Sequence, residues 1–224
     1  SAPLIDVPPT VLSEIHNISN SGYAIELVYY GKQRNIDLHI SKLTAIKQNM
    51  PEWINLCNAA DEIIHFVTYE NDIYLLTSKN APRFKIVKTS LINPDLATVE
   101  TVLPASDSIV RDLFAAKDAL YAIATDKGID KVIRITYDGE IQYPKLPSDG
   151  AVNFLKNDPR VAGILLTITT WTKCDSDYEY NPTTNLFTEL GLQPKGEYDA
   201  HDDLVATEVT VKSHDGTMVP LSII

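Results

Sequence analysis

The chain repeats itself at a spacing that few folds use. A hydrophobic strand, a short polar loop and a second, alternating strand recur four times. Tyr23–Tyr30 is joined to Ile36–Leu43 by loop Gly31–Asn35, and Ile73–Thr77 to Phe84–Leu91 by loop Ser78–Arg83. Leu120–Thr125 precedes Lys131–Tyr137 across Asp126–Asp130. Ala162–Thr170 precedes Asp177–Asn181, the weakest instance, across Trp171–Ser176. From Tyr23 to Tyr74 to Tyr121 to Ile164 the steps are 51, 47 and 43 residues. Helical repeats are shorter, whereas a propeller blade takes about 40–50 residues.

Alternation of apolar and polar residues in IDLHISKL, FKIVKTSL and KVIRITY predicts strands with one covered face, as in antiparallel sheets. Turn signals at Asn93-Pro94, Asp138-Gly139 and Asn181-Pro182 close the second strands. Two segments read otherwise. Leu43–Cys57 has helical character interrupted by Pro51, and Asp107–Lys117 has helical spacing over few turns. The pattern as a whole predicts an all-β chain of about four propeller blades, each an antiparallel four-stranded sheet.

Composition narrows the function. The 224 residues suffice for a sizeable core. With 30 Asp+Glu against 19 Lys+Arg, the net charge of −11 excludes nucleic-acid backbones and anionic membrane surfaces as expected partners. No apolar run reaches the roughly 20 residues that cross a bilayer. The amino terminus, SAPLIDVPP, has no signal-peptide pattern and reads as processed or cloned. A cytoplasmic location is expected over a secreted one, with the periplasm open. Cys57 and Cys174 make no disulfide framework and read as buried or semi-buried thiols. No glycine-rich phosphate loop is present, so no cofactor is expected.

Several segments, in the right order, carry a resemblance. Val209, Val211, Ser213, Asp215-Gly216-Thr217 and Pro220 follow the pattern in which the propeller of the prolyl oligopeptidase family passes into its α/β-hydrolase domain. Ser78-Lys79-Asn80-Ala81-Pro82-Arg83-Phe84 looks like that family's blade turn. There Asn80 suits left-handed backbone, and Pro82 fixes φ before a strand. Trp53 stands where the family has a tryptophan in an inter-blade connection. Gly150-Ala151-Val152 with Thr169-Thr170-Trp171 resembles a further blade, without the family's following proline.

The resemblance implies a partial, substrate-gating propeller over 1–200 and the start of the peptidase domain over 201–224. The family's ring has seven blades, so about four here imply an open, truncated arc. Such an arc is expected to expose Ile25, Leu27 and Val28 of its first repeat and to self-associate through blade edges. The family consists of serine endopeptidases that cleave short peptides after proline, and its catalytic serine, aspartate and histidine lie beyond the junction. Peptide is therefore the implied substrate of the parent enzyme, and this chain is expected to be inactive. Resemblance also places Lys32, in Tyr29-Tyr30-Gly31-Lys32-Gln33, in a loop facing the substrate chamber. A lysine there would favour carboxylate-bearing peptides, although the family often has a small or thiol residue at that point. The alternative reading of Lys32 is a solvated loop lysine.

The residues themselves supply no catalytic group. None of the nine glycines brackets a serine as G-x-S-x-G. Ser213, His214 and Asp215 are consecutive, but neighbours on a strand point to opposite faces, so no serine–histidine hydrogen bond is expected. His201-Asp202-Asp203 lacks metal-ligand spacing, so no metal is expected. His16, His39 and His65 read as isolated strand positions. Asn17-Ile18-Ser19 matches a glycosylation sequon without a secretory signal beside it. Two functions remain open: the gating propeller of a prolyl oligopeptidase-like peptidase, or a stand-alone propeller scaffold for protein–protein interaction.

Overall fold

The computed structural model describes residues 11–18, 21–31, 33–194, 196, 199 and 203–224. Their strands form four four-stranded antiparallel sheets and one hairpin, and within each sheet every strand pairs with the next in sequence. They fall into two compact units, 1–106 and 107–224.

The first unit holds two sheets. Strands β1 (Leu12–Asn17), β2 (Tyr23–Tyr29), β3 (Ile36–Lys42) and β4 (Ile54–Cys57) form one. Strands β5 (Ile63–Tyr69), β6 (Asp72–Thr77), β7 (Lys85–Ser90) and β8 (Glu100–Leu103) form the other. Ile25, Leu27, Leu38 and Ile40 of the first sheet share one core with Ile63, Ile73, Leu75 and Val87 of the second. Ile25, Leu27 and Val28, expected to be exposed, are therefore buried. Ile25 and Leu27 face the second sheet, while Val28 points the other way beside Ala24 and Glu26, and that face is closed to solvent as well.

One-sided covering also fails for β3. Asp37 and Ser41, the polar half of its alternation, are buried, so the pattern marks a polar face rather than a wet one. Helix α1 (Leu43–Lys47) is all that remains of the helical reading of Leu43–Cys57, since no side chain caps it and Pro51 lies just beyond. Trp53 lies between α1 and β4, within a blade and not between blades.

The second unit opens with β9 (Ile109–Ala115), β10 (Ala119–Asp126), β11 (Ile129–Thr136) and β12 (Ile141–Gln142). Asp107–Lys117 is thus strand and not helix. A bulge explains its spacing. Asp112 pairs with Ile123 and Val110 with Ala124, which leaves Arg111 as an extra residue. Val110 and Leu113, three apart, are consequently both buried. The β10–β11 loop is only Lys127-Gly128, both at positive φ (52° and 89°), the geometry that a two-residue hairpin demands.

The fourth sheet comprises β13 (Ala151–Phe154), β14 (Ile164–Thr169), β15 (Ser176–Asn181) and β16 (Leu186–Glu189). Tyr121, Ile123 and Val132 pack with Val152, Ile164, Leu166 and Tyr180 across the third and fourth sheets. Two polar clamps reinforce that packing. Asp130 accepts from Arg111, from Thr125 Oγ1 and from the Val152 N–H at 2.7 Å. Asp118 accepts from Arg134 Nη2 at 2.9 Å, Tyr121 Oη at 2.8 Å and the Gly163 N–H at 2.8 Å. Gly163 has no alternative residue: its φ is +84° and a Cβ would lie 2.1 Å from the Tyr180 carbonyl oxygen. Strands β17 (Thr207–Lys212) and β18 (Met218–Ile223) pair only with each other among the described residues.

Candidate functional site

The loop singled out for substrate contact is a tight turn between β2 and β3. Gly31 takes φ 58°, and the Gln33 N–H donates to the Tyr30 carbonyl at 3.1 Å. Tyr30 Oη donates to Asp37 Oδ2 at 2.6 Å, which ties the turn to β3 and holds the phenol pKa above its ordinary value. Tyr29 turns inward onto the core of the unit. Lys32 itself lies outside the described residues.

The blade turn 78–84 behaves as its residues suggest. Asn80 adopts left-handed backbone at φ 55°, and the Ala81 N–H closes on the Ser78 carbonyl at 2.8 Å. Lys79 Nζ donates to Asp61 at 2.8 Å, and Ser78 Oγ to Glu62 at 2.7 Å, fastening the turn to the segment that precedes β5.

At the carboxyl end, Ser213 Oγ and His214 Nδ1 do meet, at 3.3 Å. The expectation that they could not rested on strand alternation, and β17 ends at Lys212, so both residues belong to the turn. No triad results. Asp215 accepts from the Thr217 N–H at 2.9 Å, which lowers its pKa, and His214 and Asp215 are exposed. An oriented third group and a shielded pocket are both lacking at this turn.

His201 and Asp202 lie outside the described residues. Among the described ones, no group of three His, Cys, Asp or Glu could hold a metal ion. His16, His39 and His65 sit in β1, β3 and β5. His16 packs edge-on against Phe66, and His39 Nε2 meets Asn55 Nδ2 at 3.1 Å. Cys57 is buried as expected, but Cys174 is exposed. It borders an acidic cleft of about 260 Å³ with Lys173, Asp177, Tyr178, Glu189 and Asp199. Partial desolvation, and then the Asp199 carboxylate, raise its pKa, the opposite of the depressed value that marks a catalytic thiolate.

Sequence reading missed a polar cluster on the first sheet. Glu26 is fully buried, accepts from Ser13 Oγ and pairs across strands with His39. Glu26 Oε2, Asp37 Oδ1, His39 Nδ1 and Ser41 Oγ, all buried on that face, have no hydrogen-bond partner among the described residues. The alternation of IDLHISKL did register this face, as polar; only its burial was illegible.

No protein-family model matches the chain. The chain is 25% identical over 178 residues to the prolyl endopeptidase of Elizabethkingia meningoseptica, covering 79% of this chain and 25% of that protein. Its fold superposes on prolyl oligopeptidase B from Galerina marginata with a TM-score of 0.80 and 18% identity, over 96% of this chain and 31% of that one. A prolyl endopeptidase studied for inter-domain dynamics gives a TM-score of 0.77 and 17% identity over the same 96%, and 31% of its own length. The chain is similar to the prolyl oligopeptidases in sequence and in fold. It spans a quarter to a third of the length of these proteins. The four sheets match prolyl oligopeptidase propeller blades, which bears out the resemblance drawn from the motifs.

Proposed function

We propose that this chain is the substrate-gating propeller segment of a prolyl oligopeptidase-type serine peptidase that cleaves short peptides after proline. It contributes no catalytic group. The observation that carries this reading is the sequence similarity over 79% of the chain to a prolyl endopeptidase. Under it, residues 1–200 form the partial propeller and 201–224 begin the hydrolase domain.

The gate works by dimension and not by chemistry. Rigid antiparallel blades hold short loops at their ends, and such loops admit a flexible peptide while a folded domain is too wide to pass. The clamps at Asp130 and Asp118 suit this role because they keep neighbouring blades in fixed register. Lys32 would face the peptide and favour a carboxylate there. Hairpin β17–β18 supports the domain assignment: Val211, Val219, Leu221 and Ile223 lie on one of its faces and are 41–49% exposed, as fits a sheet that is continued and covered elsewhere.

The open reading frame in genomic DNA tests the proposal. Past the codon for Ile224 it should continue into a hydrolase domain containing G-x-S-x-G. A stop codon, or continuation into an unrelated domain, would refute it and leave the stand-alone scaffold.

A further inference from the structure

Among the described residues, the hairpin β17–β18 differs from every other sheet in having two strands instead of four. Its two outer edges are not equivalent. The Ser213 N–H donates to the Thr217 carbonyl at 2.8 Å, and hydrogen-bonded pairs alternate along an antiparallel ladder. Val211–Val219 and Val209–Leu221 are therefore hydrogen-bonded pairs, while Lys212–Met218, Thr210–Pro220 and Glu208–Ser222 are not. The backbone groups of Glu208, Thr210 and Lys212 consequently point outward from β17. On β18 the outward positions are Met218, Pro220 and Ser222, and Pro220 has no N–H to offer. The β17 edge therefore offers a further strand its full set of outward donors, and the β18 edge one fewer.

The sequence along that edge is its own complement. A second β17 laid antiparallel about Thr210 pairs Glu208 with Lys212 of the second copy, Val209 with Val211, and Thr210 with Thr210. The remaining two pairs repeat these by symmetry. Each outward-facing residue then meets another outward-facing residue, as the ladder requires. Both charge pairs are attractive and both apolar pairs are β-branched, the combinations that stabilise neighbouring strands. Registers centred on Val209 or Val211 also align outward groups, but they lose both Glu–Lys pairs. Glu208 already accepts from Ser222 Oγ, and a carboxylate has acceptor capacity for a lysine besides.

We propose that β17 is a dimerisation edge, at which two copies of this chain join their hairpins into one four-stranded antiparallel sheet about a two-fold axis through Thr210. The symmetry is the commonest for homodimers, and one surface serves both partners. Net charge of −11 opposes approach of two copies at most surfaces, whereas this edge offers one anion and one cation in self-complementary order. The inference rests on the hairpin alone and does not depend on the gating reading. It also moves self-association away from the first repeat, whose apolar residues are buried.

Sedimentation at micromolar concentration, with charge-swap variants, tests it. The natural chain should sediment as a dimer. Glu208→Lys and Lys212→Glu should each weaken the dimer roughly tenfold or more, because both charge pairs turn repulsive. The double variant Glu208→Lys/Lys212→Glu should recover dimerisation, since the pairs are restored with their signs exchanged. Thr210→Pro, which removes an outward N–H but no bond within the hairpin, should give a monomer. A monomeric natural chain, a dimer indifferent to both single swaps, or a double variant no better than the singles would each overturn the proposal.

Discussion

Cys57 and Cys174 carry one side chain in opposite settings. Cys57 Sγ lies behind β3, 3.6 Å from the Ile36 carbonyl, and burial pushes its pKa up to about 12. A thiol reagent at mild alkaline pH should therefore modify one cysteine of the folded chain and both after denaturation. Fast modification of two thiols in the folded chain would contradict this. The same shift makes stability depend on pH. The folded pKa is raised, so the contribution is complete below the ordinary value of 9.0 and is lost as pH climbs from there toward about 12. Backbone setting is equally decisive at Ser213 and His214. Their identities were legible in the sequence, but their contact was not, because it depends on the strand ending one residue earlier.

At the level of elements, the sheets of the second unit are joined by apolar packing and by single carboxylates, Asp130 buried and Asp118 partly so. Asp130 is 5% exposed and bonds Arg111, Thr125 and the Val152 N–H. Asp130→Ala leaves a buried N–H and a guanidinium without their acceptor, at a cost of about 2–4 kcal/mol. Denaturant unfolding measures this, and a change below ~0.5 kcal/mol, the range of ordinary surface substitutions, would show that the clamp is incidental. Arg111 is also the extra residue of the β9 bulge, so the irregularity that mimicked a helix in the sequence is what frees a side chain to reach Asp130. Strand pairs and turns were legible because period-two alternation and turn residues are local signals. The bulges, the burial of Asp37 and Ser41 and the carboxylate clamps were not, because each is set by residues distant in sequence. Asn80 stands between these cases: its left-handed backbone was legible from its residue type, but its fastening through Lys79 to Asp61 was not.

For the molecule as a whole, the sequential four-stranded order of every full sheet and the similarity to prolyl endopeptidases are the ground of the proposed account, in which this chain limits what a peptidase can reach. Size selectivity is the property that such a role must produce. The most direct measurement takes the protein expressed whole from the reading frame that holds this chain. It compares cleavage of a short proline-containing peptide with cleavage of the same sequence displayed within a folded domain. The account predicts turnover of the free peptide, sensitivity to a serine-directed inhibitor, and no cleavage within the folded domain. Equal cleavage of both, or no cleavage of the free peptide, would contradict it.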